Sequence, residues 1–258
     1  MYPVIVCIAK RESDYIEEWV KYHLHIGFKH IYLYDNEDIP SYETLLKDYS
    51  DSITFIHFPG NSFHKGVQYM ALDDFVSKYI YTNNITHVAH IDIDEFIVLK
   101  KHNNISEFVN EYIVGDCGGV GMNWRHFGSS GHTVQTDNNV LSRFTKCQLN
   151  GDRHIKTIFH IKCFERFDNV HIIHVKSGYH IKSTLGNIIN SPFNDNIDFS
   201  VIQLNHYKCK SLEEFKNIQS RGRADLINSP YENTLDKFSK FDFNEIEDTT
   251  ARDKYNCI

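Results

Sequence analysis

The chain has 258 residues, of which 41% are hydrophobic and 24% charged, an ordinary soluble composition with enough length for one substantial core. Its formal charge of −7 lacks the basic excess that non-specific nucleic-acid binding requires. No apolar run reaches the ~18 residues of a membrane-crossing helix, so neither a nucleic-acid partner nor a transmembrane segment is expected.

In chain order, residues 4–8 form a short apolar run that reads as a buried strand, preceded by no basic segment or secretory cleavage site. Tyr15, Ile16, Trp19, Val20, His23 and Ile26 recur at helical spacing, and Gly27 is placed to end that helix. Residues 30–34 and 53–58 are further strands. Residues 66–81 look helical, with Val67, Met70, Ala71, Phe75, Val76 and Tyr79 on the buried side. Residues 88–91 are the strand that leads into Asp92. This alternation predicts an α/β fold, a largely parallel sheet with helices on both faces. Ligands of such sheets bind beyond the carboxyl ends of the strands. Here those ends carry Ala9-Lys10-Arg11-Glu12, Asp35-Asn36 and Asp92 to Glu95, three polar clusters on one rim.

The second half is less periodic. Residues 105–113 read as a short helix, 119–124 as a strand, and 127–131 as a flexible loop. Residues 155–161, 170–175 and 201–204 are strand-like, the last running into Asn205-His206-Tyr207. Ser211 and Glu214 have the spacing of a capping box at the start of a helix. The polar stretch 186–198 reads as mobile surface. No repeat or evident linker interrupts residues 1–258, which points to a single domain.

Six cysteines are scattered without a C-x-x-C pair, which suits a reducing compartment and no disulfide framework. Sixteen histidines raise the question of zinc, but none forms an H-E-x-x-H pair on a helix. With no span or leader, the expected location is cytoplasmic, in a bacterium or a virus-infected host cell.

The run His90-Ile91-Asp92-Ile93-Asp94-Glu95-Phe96 carries the clearest chemistry. In an extended strand Asp92 and Asp94 project to one side while Ile91 and Ile93 pack on the other. Adjacent carboxylates repel and lose hydration unless a cation lies between them. Mn²⁺ or Mg²⁺ suits such oxygen ligands and leaves positions open for phosphate oxygens. A solvated strand-to-loop junction is the plainer reading of an isolated Asp-x-Asp.

Further motifs accompany it in order: Cys7-Ile8-Ala9-Lys10-Arg11-Glu12, Glu18-Trp19, Tyr22-His23 with Gly27, Tyr34-Asp35-Asn36 and Gln68. After the acidic block come Trp124 with residues 127–131, Lys156-Thr157-Ile158, Asn205-His206-Tyr207, residues 210–215 and residues 243–248. As an ordered set they resemble a glycosyltransferase of the GT-A fold, from the group related to family 2 and family 92 enzymes. Arg11 departs from the Asn usual in such relatives.

The resemblance implies a Rossmann-like, mostly parallel central sheet, with residues 1–100 binding the nucleotide sugar and 101–258 the acceptor. It implies metal-dependent sugar transfer in glycan biosynthesis, from a nucleotide-diphosphate sugar, most naturally UDP-linked, to a glycan or glycoconjugate, with inversion. Carried onto this chain, Asp94 and His206 are metal ligands, and Asp92 divides its contacts between metal and ribose or donor sugar. Asp35 contacts the nucleoside, Lys10 the diphosphate, and Ala9, Glu12 and Gln68 complete the donor side. Asp168, in preference to Asp152, is the base that deprotonates the acceptor. Trp124, Gly128 and Ser129 lie on the acceptor side.

Plainer roles stand beside these. Asp35-Asn36 fits an Asx turn, Glu12 a helix cap, His206 a core histidine, and Asp152 and Asp168 ordinary turns. Two other functions remain open. One is nucleotidyl or phosphoryl transfer, which would more naturally show a G-x-x-x-x-G-K-[ST] loop, absent here. The other is a non-catalytic module binding a sugar nucleotide or glycan, against which intact Asp92, Asp94 and His206 count.

Overall fold

Strand β1 (Pro3–Ala9) alternates its side chains between two cores. Ile5 and Cys7 pack into one cluster with Ile16, Trp19 and Val20, while Val4 and Val6 pack into another with Ala71, Leu72 and Phe75. This period of two, buried on both faces, is what an interior parallel strand requires. The structure, a computed structural model, describes residues 1–60, 66–82, 84–136, 139–220 and 234–256.

After β1 come α1 (Ile16–His25), β2 (His30–Asp35), α2 (Tyr42–Leu45), β3 (Ile53–His57), α3 (Val67–Lys78), β4 (His87–His90) and β5 (Glu95–Leu99). Then follow α4 (Ile105–Tyr112), β6 (Cys117–His126), α5 (Val140–Arg143), β7 (Lys146–Cys147), β8 (Asp152–His160), β9 (Phe164–Phe167) and β10 (Ile173–Val175). The chain continues through β11 (His180–Lys182), β12 (Ile202–His206), α6 (Leu212–Ser220), α7 (Thr234–Phe241), β13 (Ile246–Glu247) and α8 (Thr250–Tyr255).

One nine-stranded sheet has the order β3-β2-β1-β4-β8-β6-β12-β5, with β11 also paired to β6. The pairs among β1 to β4 are parallel, as are β6 with β11 and β12. β8 runs antiparallel to both β4 and β6, and β5 runs antiparallel to β12. The expected α/β fold with a mostly parallel sheet and helices on both faces is therefore present. Among the described residues no helix is long and apolar enough to cross a membrane. The five described cysteines are free and buried; Cys257 lies outside the described residues.

Several local expectations change. Asp92 and Asp94 do not lie in an extended strand. β4 stops at His90, and the Glu95 N–H donates to the Asp92 carbonyl at 3.0 Å, closing a turn. That turn sends the chain to β5 at the far edge of the sheet instead of beside β4. Ile91 and Ile93 are still buried beneath it. In α3, Val67, Ala71 and Phe75 are buried as expected, Met70 is instead 43% exposed, and Gln68 and Leu72 join the buried stripe. Gln68 takes an inward position because its amide bonds Asp92.

The 127–131 loop is pinned, not flexible. The Ser129 N–H donates to Asp242 Oδ1 (2.6 Å) and the Ser130 N–H to Asn244 Oδ1 (2.8 Å). Stretch 186–198, expected as mobile surface, is tied to the sheet. The Asn194 amide donates to Asn123 Oδ1 (2.8 Å), and the Ile155 N–H donates to the Pro192 carbonyl (3.0 Å). The capping box forms as expected: the Glu214 N–H donates to Ser211 Oγ and the Ser211 N–H to Glu214 Oε2.

Candidate active site

The carboxyl ends of β1 and β2 meet at the rim, where Ala9 is paired with Asp35 and the Asn36 N–H donates to the Ala9 carbonyl. Lys10 Nζ lies 4.0 Å from Asp38 Oδ1. Arg11 adopts a left-handed φ of 54°, and its N–H bonds the Glu37 carboxylate. Glu12 is buried, and its carbonyl accepts from Tyr15 and Ile16 at the entry to α1. The helix cap is thus made by its main chain. Asp35 is committed to the loop that follows. Oδ1 accepts from the Glu37 N–H (2.9 Å) and Oδ2 from the Ser41 and Tyr42 N–H groups (2.8 and 3.2 Å). This geometry is the Asx-type turn, extended by two more residues.

The acidic turn is the electrostatic centre. Asp92 Oδ2 lies 3.1 Å from Nζ of Lys156, a lysine side chain only 1% exposed, while Asp92 Oδ1 accepts from the Gln68 amide. Burial pushes the Asp92 carboxyl up, but Lys156 and His90 outweigh it and hold the group below the usual carboxylate range. Burial would likewise lower the Lys156 ammonium, yet Asp92 and Glu95 keep it above its ordinary value. Glu95 is fully buried, and Oε2 accepts the Asp92 N–H at 2.9 Å. Its carboxyl is raised well above the usual range by burial, against Lys156, with Asp92 and Asp94 adding to the rise.

Asp94 and His206 meet through strand order. β12 lies between β5 and β6, pairing His206 with Glu95 on one side and with His126 on the other. The Tyr207 N–H then donates to the Asp94 carbonyl at 2.8 Å. These bonds bring Asp94 Oδ2 to 3.4 Å from His206 Nε2. Of the three expected metal ligands, two converge and the third, Asp92, is held by Lys156. Among the described residues no three His, Cys, Asp or Glu side chains form a metal-binding group.

Around this pair the structure gathers Trp124 and Asp152 together with histidines that sequence spacing did not single out. Trp124 is surrounded by His206, His154, His171 and His126, with ring centroids at 4.5, 5.0, 5.3 and 5.6 Å. A register shift between β6 and β8 sets Trp124 opposite Asp152, the kind of irregularity that re-aims side chains beside sites. Asp152 Oδ1 is 2.6 Å from His154 Nδ1, and its Oδ2 is 3.5 Å from His126 Nε2. Burial pushes Asp152 up, and these two histidines with the His154 N–H more than reverse that, so the carboxyl stays ionised. Burial lowers His126 and His171 to about 4 and His90 to about 3, so all three are neutral near pH 7.

The two base candidates separate. Asp168 sits in the β9–β10 turn, 45% exposed, 3.5 Å from the Arg166 guanidinium, while Asp152 touches the histidines around Trp124. The expectation that preferred Asp168 rested on distance along the chain; the hairpin leaves that carboxylate half-exposed beside Arg166. Gly128 and Ser129 also change role: a Cβ at Gly128 would meet the Phe243 carbonyl at 2.3 Å, and Ser129 is 3% exposed. They anchor the C-terminal segment and leave Trp124 as the accessible member of that set.

The glycosyltransferase family 92 profile matches residues 2–253. A glycosyltransferase family 92 protein of Oryza sativa subsp. japonica is 25% identical over 222 residues, covering 84% of this chain and 35% of that protein. The chain thus spans about a third of that relative's length. Among solved structures, residues 1–349 of S. aureus TarS align with a TM-score of 0.39 and 12% identity, over 63% of this chain and 48% of TarS. A Bacillus anthracis structure described as a glucose-1-phosphate thymidylyltransferase aligns at 0.36 and 11%, over 63% and 72%. Likenesses this weak carry no argument about ligand or chemistry. The family profile, running over nearly the whole chain, is decisive: the chain belongs to glycosyltransferase family 92.

Proposed function

We propose that this chain transfers a sugar from a nucleotide-diphosphate donor, UDP-linked, to a glycan or glycoconjugate acceptor, with the help of Mn²⁺ or Mg²⁺ and with inversion. The observation that carries this reading is the approach of Asp94 Oδ2 to His206 Nε2, 3.4 Å, at the rim beside the Asp92–Lys156 pair. Family membership gives the reaction class, and the rim gives its chemistry.

The donor set fits a divalent cation. One carboxylate oxygen and one imidazole nitrogen stand near the ~3 Å separation of two ligands that each sit ~2.1 Å from one ion. Asp94 and His206 would hold the ion, leaving its other positions to diphosphate oxygens and water. A bound cation supplies Lewis-acid stabilisation of the charge that develops on the leaving diphosphate. Lys156 adds a fixed positive charge behind Asp92. With Lys156 and Gln68 holding it, Asp92 presents its remaining lone pairs to hydroxyls of the ribose or donor sugar. On the acceptor side, Asp152 is ionised and accepts the proton of the attacking hydroxyl. His126 and His154 fix its orientation.

A thermal-shift panel of UDP-, GDP- and dTDP-sugars with and without Mn²⁺ tests the reading. A bound ligand raises the melting temperature in proportion to saturation. A UDP-sugar should give the largest shift, and only with Mn²⁺. Equal shifts in Mn²⁺ and EDTA remove the metal bridge, and no shift with any sugar nucleotide removes the donor assignment.

A further inference from the structure

The strand that delivers His206 is polar on its other side. Along β12, Ile202, Leu204 and His206 share one side, while Gln203 and Asn205 share the opposite one with Tyr207 just beyond. All three of these polar side chains are buried. Interior strands usually carry Val, Ile or Leu at such positions, but here the side chains form a hydrogen-bonded ladder. The Gln203 amide donates to Asn205 Oδ1, and Asn205 Nδ2 donates to the Tyr207 hydroxyl at 2.9 Å.

The ladder is anchored from outside the strand. Gln203 Nε2 also donates to Asp248 Oδ2 at 3.0 Å, and Gln203 Oε1 accepts from Arg125 Nη1 at 3.2 Å. Asp248 is held in turn by Lys100 Nζ at 3.1 Å, by Arg125 Nη1 at 3.4 Å and by the Thr250 N–H at 3.0 Å. Residues from β6, from just past β5 and from the C-terminal segment therefore converge on Gln203.

Buried amides exchange hydrogen bonds to water for those made inside, so apolar side chains of the same shape would hold the sheet about as well. What the ladder adds is register. Apolar alternation alone forbids a slip of one residue, which would turn every side chain to the wrong face. It does not forbid a slip of two, which returns each side chain to its own face. Such a slip would move His206 by about 7 Å along the strand, away from Asp94 Oδ2, now 3.4 Å from His206 Nε2. It would also part Gln203 from Arg125 and Asp248. We infer that Gln203, Asn205 and Asp248 are positioning residues: the ladder on the far side of β12 fixes the strand register and with it the place of His206 opposite Asp94. That this pair takes a metal rests on the transferase reading above; the positioning rests on the hydrogen bonds alone.

The test is a triple variant, Gln203→Met with Asn205→Leu and Tyr207→Phe. It replaces the ladder by apolar groups of similar shape and leaves Asp248 with Lys100, Arg125 and Thr250. Its urea midpoint should equal or exceed that of the wild type. The Tyr207 N–H, which donates to the Asp94 carbonyl at 2.8 Å, should nevertheless exchange with deuterium about tenfold faster. In NMR spectra the His206 ring protons should lose the ring-current shift imposed by Trp124, 4.5 Å away between centroids. Mn²⁺-dependent UDP-sugar binding should weaken about tenfold. Asn205→Leu alone should move the exchange rate and the ring shift in the same direction, and it decides the matter if the triple variant does not fold. Wild-type exchange and ring shifts in a folded variant overturn the inference. So does a midpoint that falls together with them, since the ladder would then be merely structural. A wild type that binds no UDP-sugar in Mn²⁺ removes the transferase reading, whereas exchange and ring shifts need neither ligand and still decide the positioning.

Discussion

Lys156 Nζ stands 3.1 Å from Asp92 Oδ2, and the two side chains differ sharply in exposure, 1% for the lysine and 33% for the aspartate. A lysine this deep is tolerated only because an ionised carboxylate faces it. The same contact orients Asp92 toward the rim. Stability and site geometry are thus coupled in one ion pair.

Breaking the pair from its two ends should have unequal effects. Asp92→Asn leaves a buried ammonium opposed by a neutral amide and should destabilise the fold by about 3 kcal/mol. Lys156→Met leaves Asp92 able to take up water and should cost about 1–2 kcal/mol. Urea denaturation of both variants and the double mutant measures the coupling. Strictly additive effects would mean that the two charges do not interact.

Asp152 and Asp168 can be told apart kinetically. Asp152→Asn should lower kcat by about 10²- to 10⁴-fold with donor affinity unchanged, the usual worth of a general base. Asp168→Asn removes only a surface carboxylate beside Arg166 and should leave kcat within about twofold, consistent with the small effects of surface substitutions. A large loss in Asp168→Asn with normal Asp152→Asn turnover would reverse the assignment.

Metal coupling should fail when either member of the Asp94–His206 pair is removed. Asp94→Asn and His206→Ala should both abolish the Mn²⁺-dependent part of UDP-sugar binding, read by calorimetry as a linkage between the two ligands. Asp94 is partly open to solvent, so the Asp94→Asn fold should melt within a few degrees of wild type. If both variants keep full Mn²⁺-dependent affinity, the ion binds elsewhere.

A second buried pair sets an acid limit on stability. Glu214 accepts two bonds from the Arg143 guanidinium, each 2.8 Å, with side-chain exposures of 3% for Arg143 and 0% for Glu214. Burial pushes its carboxyl up, but Arg143 and Ser211 more than offset this and hold it down to about 2, from an ordinary 4.5. A depressed folded-state pKa stabilises the fold above the unfolded value, and that contribution is lost as pH falls through the folded value. Glu214→Gln should therefore cost about 3 kcal/mol at pH 6, and the difference from wild type should shrink between about pH 4.5 and pH 2. Denaturant titrations at pH 6, 4 and 3 follow it; a difference that does not vary with pH would contradict the ionic account.

Local pattern was legible in the sequence because its physics is local. The short apolar strands β1 and β2, the helical stripe of α1 with Gly27 at φ 104°, and the Ser211–Glu214 capping box all appear as read. Buried Ile91 and Ile93 also match the alternation expected around the two aspartates. In α3 the same rule placed Val67, Ala71 and Phe75 correctly but put Met70 inside, and it missed Gln68, which it scores as polar and outward. The amide turns inward because Asp92, 24 residues away, supplies its partner.

What only the tertiary structure decided is which distant residues share the rim. The histidines were weighed by their spacing to one another along the chain, and by that measure they make no site. Yet β12 entering between β5 and β6 pairs His206 with His126, and the β6–β8 register shift brings His154 and Asp152 to Trp124. Lys156 drew notice only as part of a motif; its partner lies 64 positions earlier. Strand order and register arise from cooperative packing of the whole sheet, and a one-residue slip turns every side chain to the other face. Sequence periodicity therefore determines which residues form each strand, while only the assembled sheet determines which charges and rings meet.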